Sequence, residues 1–403
     1  MQSKKDIYVN SMWSIHIPEE DYIRIPKEEW DIRDTISELS YLTHNFLRYY
    51  GKYIPPIATN LIKRYTKSQE IILDNFSGCG TGLVEAKLHG RHAIGVEINP
   101  LGVLASKVKT TLIKPQRLVI VYKELLQKVS QDVAKLEKKN NEVRLSIPSK
   151  EDFPSIAKWF KQKQIDQLGV LRHHVFELDG DSALRDFFML AFGAIIRRCS
   201  NAYDGEVRPH VNKDKKPRPV LAAFKDKVTD MIDRMQEFSK ASKEVFTKVF
   251  HHDSRDLHKI IEDDSIDLII SHPPYLNAFD YAPVFKPTMH WMDLKYLTTR
   301  KEEIRAWPAT NEKLVNKYFS DLDICLTEMY RVMKTNGKCC VVIGDCTIRK
   351  KPLATHKAII NLATDKGFKI ERIISRKPWY TTGRYSYDPR SLKKEYILVF
   401  GLN

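Results

Sequence analysis

The sequence predicts an α/β fold with a mostly parallel sheet that is interrupted by a long helical insert. Over residues 70 to 97, an apolar strand (EIILDN), a glycine loop, a helix and a second strand follow one another, which is typical of parallel strands joined by a crossover helix. Strands and helices alternate again from about residue 246 to the end, and the text between is mostly helical. We therefore predict an N-terminal arm over 1–41, a discontinuous α/β domain over 42–110 and 250–403, and a helical insert over 111–249.

The composition describes a folded, basic protein. Its 403 residues are 42% hydrophobic, enough for a sizeable core and for two folded units. Lys and Arg together number 66 against 51 for Asp and Glu, a formal net charge of +15. This balance favours a polyanionic partner such as nucleic acid.

The cysteines and the N-terminal residues indicate the cellular compartment. No two of the six cysteines form a CxxC pair, and no Cys/His cluster has the spacing of a zinc site. The first residues, MQSKKDIYVNSMW, lack an apolar signal core, and no stretch reaches the roughly 18 apolar residues that cross a bilayer. We therefore predict reduced thiols, no metal, no membrane segment and a cytoplasmic location.

The glycine loop after the first predicted strand indicates a cofactor site. The strand EIILDN runs directly into FSGCGTG, and a helix follows, so backbone amides can approach a ligand closely. Asp74 at the mouth of this loop would repel a dinucleotide's pyrophosphate but suits the ammonium group of an amino acid. The candidate cofactor residues here are Asp74, Phe76, Gly78, Gly80 and Thr81.

Two further carboxylates end neighbouring strands. Glu97 ends the next strand (GVEINP), where a carboxylate can accept both hydroxyls of a ribose, and Ile98 follows it. Asp253 in HHDSRD, followed by Ser254, ends a third strand and is placed to accept from an adenine amino group. Each acid alone could simply cap a helix or turn. Together with Asp74 they describe an adenosyl amino acid, and S-adenosyl-L-methionine is the candidate cofactor.

A proline pair after another apolar strand indicates the catalytic segment. The strand IDLIIS leads into Ser271, His272, Pro273, Pro274 and Tyr275. Prolines cannot donate to a ladder, so this backbone is stiff and presents carbonyl oxygens beside an aromatic ring. Such an arrangement suits the exocyclic amine of a flipped base, with the ring stacked on it and acceptors for its hydrogens. A turn that merely caps the strand is the alternative for a lone PPY.

These motifs together resemble the amino-group DNA methyltransferases, which modify N4 of cytosine or N6 of adenine. The resemblance rests on DNFSGCGTG, GVEINP, HDSRD, SHPPY with NAFDY, IGDCTIR and EYILVF, and on His44 with GKYIPP, which looks like the family's cofactor-capping segment and includes Lys52. It implies a seven-stranded, Rossmann-like sheet with a reversed terminal hairpin. It also implies that Asp74, Gly78 and Gly80 hold the methionine part of the cofactor, Glu97 the ribose and Asp253 the adenine.

The chain departs from the family pattern at two points. Family members usually have Asp, Asn or Ser before the two prolines, whereas this chain has His272, with Ser271 one place earlier. A neutral imidazole can accept an amine hydrogen, but a protonated one cannot. The helical insert also precedes the Asp253 segment, whereas family members with this motif order generally carry target recognition after it or at the C-terminus. Assigning target recognition to the insert is therefore an inference.

Basic segments are candidates for phosphate contact. One lies in the Lys/Pro loop of the insert, and others follow late strands, where ligands of α/β sheets bind. For the insert loop, a solvated linker is an equal alternative. The candidate DNA-binding residues are Lys213, Lys215, Lys216, Arg218, Arg349, Lys350, Lys351 and Arg384.

The sequence as a whole predicts a methyltransferase that acts on an exocyclic base amine in double-stranded DNA. Ser271 within SHPPY favours N4 of cytosine over N6 of adenine. An RNA base methyltransferase and a non-catalytic, DNA-binding subunit of a defence complex are the alternatives. A restriction endonuclease or another defence protein is a possible partner, with no membrane association.

Overall fold

The computed structural model describes residues 18–138, 142–276, 279–304, 312–348, 351–378 and 394–402. The strands are β1 Lys27–Trp30, β2 Ile71–Asp74, β3 His92–Glu97, β4 Thr247–His251, β5 Ile266–Ser271, β6 Met333–Gly344, β7 Cys346–Ile348, β8 Lys351–Leu353, β9 Phe368–Arg376 and β10 Glu395–Leu402. The helices are α1 Glu19–Arg24, α2 Pro55–Tyr65, α3 Thr81–Leu88, α4 Pro100–Thr110, α5 Pro115–Glu137, α6 Ile156–Trp159, α7 Gln162–Phe176, α8 Ser182–Ile195, α9 Val220–Ala241, α10 Tyr281–Val284, α11 Lys286–Trp291, α12 Tyr296–Glu302, α13 Glu312–Val332 and α14 Thr355–Asp365.

Within these described ranges, eight strands form the main sheet in the order β1-β9-β10-β6-β5-β2-β3-β4. Every neighbouring pair is parallel except those that involve β10, which runs antiparallel to both β6 and β9. The predicted α/β class, the mostly parallel sheet and the reversed terminal hairpin are therefore confirmed.

The predicted count of seven strands is wrong by one, because part of the N-terminal arm joins the sheet. Residues 27–30 pair in parallel with β9, in register with Ile373 to Arg376. Glu28 on this strand forms ion pairs with Arg64 and Arg372. A four-residue edge strand that reads KEEW has no apolar alternation, so sequence patterning did not distinguish it from an irregular arm.

The sheet positions a ligand site at its centre. β2 is bonded to β3 on one side and to β5 on the other, so the chain changes direction across the sheet at β2. In open α/β sheets, the crevice beyond the carboxyl ends of the strands at such a switch point is where ligands bind. The residues that end β2, β3 and β5 are Asp74, Glu97 and Ser271.

The helices between α5 and α9 share one apolar core with the layer that covers the sheet. A continuous cluster of buried side chains runs from Val108 on α4 through Phe187 on α8 and Phe224 on α9 to Trp291 on α11. The apolar helix α8 is largely buried within this cluster. This packing fixes the helical segment against α11 and against α4, which follows directly on the carboxyl end of β3.

Two sequence-based expectations concern the cysteines and the membrane. All six cysteines lie in the described part of the chain, and each is a buried, free thiol. No helix in the described ranges is long and apolar enough to span a bilayer.

Candidate active site

A pocket opens where β2, β3, β4 and β5 end. It encloses about 790 Å³ of space including its open mouth. Residues from the glycine loop, from the ends of β3 and β4 and from the proline segment line it together, although they are far apart in sequence. The predicted residues among its walls are Lys52, Phe76, Gly78, Thr81, Glu97, Ile98, Asp253, Ser254, His272 and Pro274.

The glycine loop brings its backbone against α4. Gly80 caps α3 with a φ of 81°, a left-handed conformation that favours glycine. A Cβ at Gly80 would also lie 2.9 Å from Ser106 Oγ. Ser106 Oγ in turn donates to the Gly78 carbonyl at 3.1 Å. The tight turn that leads from β2 into α3 therefore requires glycine at position 80, and Gly78, with a φ of 52°, also has a left-handed backbone conformation.

Asp74 lies behind the pocket wall. It is fully buried, and its Oδ2 accepts a hydrogen bond of 2.7 Å from the Tyr53 hydroxyl. Burial raises the pKa of Asp74 to about 7, against the opposing hydrogen bonds from Tyr53 and the backbone. Tyr53 lines the pocket whereas Asp74 does not, so the predicted direct contact between Asp74 and the cofactor stays a prediction.

Glu97 is held by backbone amides at the pocket edge. Its Oε2 accepts from Gly78 N at 2.8 Å, and its Oε1 accepts from Asn99 N at 2.7 Å. Burial raises the pKa of Glu97 to about 7, and these amides oppose the shift. Each carboxylate oxygen retains a further lone pair, so Glu97 can still accept from hydroxyl groups of a ligand.

The Asp253 carboxylate accepts hydrogen bonds from a neighbouring arginine. Arg255 donates to both of its oxygens, with Nε at 2.9 Å from Oδ1. The same guanidinium donates to Asp321 Oδ1 at 3.0 Å and to the Glu302 carbonyl at 2.8 Å. Arg255 thus fixes the orientation of Asp253 at the end of β4 and joins it to α12 and α13.

Two buried polar side chains at the pocket have no partner among the described residues. The Asn75 amide is fully buried, and both its oxygen and its nitrogen lack hydrogen bonds. The Thr81 hydroxyl, at the start of α3, is also buried without a partner. Because buried polar groups are normally bonded, these side chains fit a polar ligand in the pocket. The residues present therefore fit the amino-acid end of an adenosyl amino acid, and sequence reasoning missed Asn75 although it follows Asp74 directly.

His272 enters the pocket beside a chain of hydrogen bonds. Its Nε2 lies 3.1 Å from the Tyr275 hydroxyl, which donates to Glu395 Oε1 at 2.7 Å. Glu395 Oε2 accepts from Arg376 Nε. Burial lowers the pKa of His272 to about 4, and Glu395 opposes the shift. The imidazole is therefore neutral near pH 7, which sequence alone could not decide.

Ser271 has different surroundings from His272. It is the last residue of β5 and is fully buried. Its hydroxyl has no hydrogen-bond partner among the described residues, and Ser271 is absent from the pocket walls. A catalytic contact by Ser271 is therefore not supported by this geometry. Pro273 is also buried and lies outside the walls.

Tyr275, which was expected to stack on the base, and the Pro274 carbonyl, expected to accept from its amine, both have partners within the protein. Tyr275 packs edge-on against His272, with ring centroids 5.0 Å apart, and is absent from the pocket walls. The Pro274 carbonyl already accepts a hydrogen bond of 2.7 Å from the Tyr318 hydroxyl. Tyr49 and Tyr281 line the pocket instead, and sequence reasoning did not single them out.

His44 has a structural environment rather than a ligand-facing one. It is 1% exposed, and its Nε2 lies 2.8 Å from Glu85 Oε1. Glu85 also accepts from the hydroxyls of Tyr41 and Thr59, each at 2.5 Å. The predicted cofactor contact of His44 therefore stays a prediction, since its side chain bonds to Glu85 on α3 and is absent from the pocket walls. Lys52 from the same segment does reach the pocket, and burial lowers its pKa to about 8.

The basic side chains in the loop of the insert differ in their environments. Lys215 Nζ donates to the carbonyls of Arg197 and Ala202 and to Asp204, at 2.7 to 3.1 Å, so it holds the loop in place. The side chains of Lys213, Lys216 and Arg218 are exposed.

A groove beside α8 and α9 lies next to this loop and is also lined by residues 45–48 and by Val284 and Phe285. It encloses about 2060 Å³ including its open mouth, and Arg48, Arg197, Lys216 and Arg218 contribute cations to its walls. Of the other predicted phosphate contacts, Arg349, Lys350, Arg384 and the side chain of Lys351 lie outside the described residues.

The sequence of this chain is similar to those of several known proteins. Residues 2–106 match the family model N6_N4_Mtase, described as DNA methylase. The chain is 26% identical over 273 residues to the type II methyltransferase M.MvaI of Kocuria varians, covering 63% of this chain and 58% of that protein. It is 22% identical over 409 residues to the type II methyltransferase M.MjaII of Methanocaldococcus jannaschii, covering 79% and 76%. The chain thus spans little more than half of the first relative.

A solved structure gives a more distant match. A TehB-like S-adenosylmethionine-dependent methyltransferase from Corynebacterium glutamicum aligns over 86% of this chain and 87% of its own, with 10% identity and a TM-score of 0.32. The fold assignment rests on the sheet order and the switch point, not on this match. S-adenosyl-L-methionine, the cofactor predicted from the motifs, is supported by the family match. By sequence, the chain is therefore similar to amino-group DNA methyltransferases.

Proposed function

We propose that this chain transfers a methyl group from S-adenosyl-L-methionine to an exocyclic amine of a base in double-stranded DNA, with N4 of cytosine preferred to N6 of adenine. The observation that carries the proposal is the position of His272, a neutral imidazole in the wall of a pocket that Glu97 and Asp253 also line. An acceptor for the amine and the carboxylates for an adenosyl group thus meet in one cavity.

Each part of the cofactor has candidate partners in this chain. Glu97 would accept from the ribose hydroxyls, and Asp253, held in place by Arg255, would accept from the adenine amine. The unpartnered Asn75 amide and Thr81 hydroxyl, with Asp74 behind Tyr53, would hold the amino-acid end. The bound cofactor supplies an electrophilic methyl group on its sulfonium sulfur.

His272 would orient the target amine. Its unprotonated nitrogen can accept one amine hydrogen, which directs the nitrogen lone pair towards the methyl group. Proximity and orientation then supply much of the rate, as expected for a displacement between two bound groups. The surplus proton of the methylated amine can pass to the imidazole. Tyr49 and Tyr281 in the pocket walls would contact the flipped base.

The DNA would lie across the pocket mouth and the basic groove. Lys216 and Arg48 bring cations to that groove, where phosphates can be neutralised without sequence preference. Arg218 pairs with Asp226 there, and Arg197 donates to the carbonyls of Tyr203 and Val207, so both also hold the groove in place. We assign target recognition to the helical insert because it supplies α8, α9 and the basic loop. Since two relatives are named as type II methyltransferases, we further propose that a restriction endonuclease of the same specificity accompanies this chain.

Expression in a bacterial host that lacks its own DNA methyltransferases tests the proposal. Long-read sequencing that detects polymerase kinetics should reveal N4-methylcytosine at one recognition site, and a His272→Ala variant should leave the same site unmodified. N6-methyladenine at that site would assign the same chemistry to the other base. Unmodified host DNA, combined with binding of S-adenosylmethionine by the purified protein, would favour a non-catalytic subunit.

A further inference from the structure

We propose that Glu395 is a positioning residue which, through Tyr275, fixes the tautomer of His272 so that Nδ1 is the nitrogen that accepts from the target amine. The inference deepens the proposed function and rests on it for the identity of the amine. Its structural part concerns four side chains, namely Arg376, Glu395, Tyr275 and His272, which form a continuous chain of hydrogen bonds.

The first step is the buried ion pair. Arg376 and Glu395 are register partners across the antiparallel pair β9 and β10, and their side chains are each 7% exposed. A guanidinium offers only donors, and a carboxylate offers only acceptors. Glu395 Oε2 therefore accepts from Arg376, which leaves Oε1 as an acceptor that faces Tyr275.

The second step concerns the proton of Tyr275. A phenol has one proton to donate, and Tyr275 gives it to Glu395 Oε1 at 2.7 Å. The phenol oxygen of Tyr275 has no second proton, so it can only accept a hydrogen bond from its other neighbour, His272 Nε2, which lies 3.1 Å away. In a neutral imidazole, a proton on Nε2 leaves Nδ1 unprotonated. The direction of every hydrogen bond in this series is thus set by Glu395 on the terminal hairpin, 120 residues after Tyr275.

The third step is what surrounds the imidazole. Tyr53 packs edge-on against His272 with ring centroids 5.3 Å apart, and Tyr275 packs edge-on against it with centroids 5.0 Å apart. Among the described residues, Glu395 and Arg376 are the charged groups that act on His272. The two rings hold the imidazole plane, and the hydrogen-bond chain selects which nitrogen carries the proton.

The substitution Glu395→Gln should reverse this direction. Arg376 still requires an acceptor, so it takes the amide oxygen and the amide nitrogen then faces Tyr275. That nitrogen donates to the phenol oxygen, so the phenol proton must turn to His272 Nε2. The imidazole proton then resides on Nδ1, where it opposes an amine that also donates.

Nitrogen chemical shifts measure the tautomer directly. Protein labelled with ¹⁵N-histidine, without DNA, is recorded by long-range ¹H–¹⁵N correlation, and the His272 signals are assigned by their loss in His272→Ala. We expect the Nε2–H pattern in the parent and the Nδ1–H pattern in Glu395→Gln. Glu371→Gln is the matched control, because Glu371 lies on the same hairpin and pairs with Lys338 at 2.8 Å instead. It should leave the His272 pattern unchanged.

Kinetics provide the second measurement. Glu395→Gln should lower kcat about a hundredfold, within the usual contribution of a positioned proton acceptor, while the Kd of S-adenosylmethionine stays within about twofold. Tyr275→Phe, which removes the oxygen that accepts from Nε2–H, should give a mixture of tautomers and serves if Glu395→Gln does not fold. An Nδ1–H parent, or an unchanged tautomer in both variants, would overturn the inference. The expected tautomers in a parent that methylates no DNA would instead refute the proposed function alone.

Discussion

The backbone amide of Gly78 donates a hydrogen bond of 2.8 Å to Glu97 Oε2, which ties the loop after β2 to the end of β3. The two segments thereby share one wall of the pocket. The carboxylate that we assign to the ribose also holds the loop that we assign to the methionine part. A change at Glu97 should therefore affect cofactor binding through both segments.

Glu97→Gln should weaken S-adenosylmethionine binding by roughly 1 to 3 kcal/mol, about 5- to 150-fold in Kd, because the ribose hydroxyls lose an ionised acceptor. In the parent, burial raises the pKa of Glu97 to about 7, so affinity should fall as pH drops through 7 and the carboxyl is protonated. Asp74 titrates in the same range, so the informative quantity is the difference between parent and variant. Isothermal titration calorimetry at several pH values measures it. Equal Kd values for both proteins at every pH would remove Glu97 from the site.

His272 should remain an acceptor well into acid. Burial lowers the pKa of His272 to about 4, so methyl transfer at saturating cofactor should persist below pH 6.5 and fall only as pH approaches 4, where the imidazole gains its second proton. Single-turnover rates across this range test it, with cofactor affinity measured alongside. His272→Ser should recover part of the activity that His272→Ala loses, because a hydroxyl restores an acceptor. Full activity in His272→Ala would show that the side chain is a bystander.

Glu85 should stabilise the fold rather than the chemistry. Its carboxylate accepts from Tyr41, His44 and Thr59. Burial acts to raise the pKa of Glu85, but hydrogen bonds such as those from His44 and Thr59 outweigh it and hold the pKa at about 2. Since the folded pKa lies below the unfolded one, the stabilisation is complete above about pH 4.5 and is lost as pH falls towards 2. Glu85→Gln should therefore lower the free energy of unfolding by roughly 2 to 4 kcal/mol at neutral pH.

Urea unfolding at several pH values provides the measurement for Glu85. The gap between parent and Glu85→Gln should shrink between pH 4.5 and pH 2. A gap that stays constant over this range would mean that the carboxylate's charge does not stabilise the fold. Cofactor affinity of the folded variant should be close to that of the parent, because Glu85 does not line the pocket.

The basic loop offers a matched pair of substitutions. Lys213 and Lys216 are exposed, so replacing both with Gln should weaken binding to DNA of any sequence and reduce the salt dependence by about 0.9 per lost phosphate contact. Lys215→Gln should mainly destabilise the protein, because this ammonium is bonded to Arg197, Ala202 and Asp204 within the loop. Binding isotherms at several salt concentrations measure both effects. An unchanged slope in the double variant would indicate a solvated surface.

Sequence patterning identified the strand ends because each acid follows a short apolar run. Asp74, Glu97 and Asp253 could be placed near one another from the order of the strands, since parallel strands end at the same edge of a sheet. The pattern could not show that Asp74 lies behind Tyr53, or that His44 turns towards Glu85, because burial depends on packing between distant segments.

The partners of the predicted residues were harder to find. Glu395 begins the last strand, and nothing local in KKEYILVF marks its carboxylate as a neighbour of Tyr275. Arg255 was visible beside Asp253, but its bond to Asp321 joins segments 66 residues apart. Sequence thus indicated the residues proposed to touch ligands, and the structure adds the residues that hold them.

The most direct test of the proposed reaction is the transfer of a labelled methyl group from S-adenosylmethionine to double-stranded DNA by the purified chain. The DNA is digested to nucleosides after a single turnover, and the label is identified by chromatography and mass. We predict label on the exocyclic nitrogen of cytosine, with none from His272→Ala under the same conditions. Label on a ring carbon, or transfer to RNA but not to DNA, would contradict the proposal.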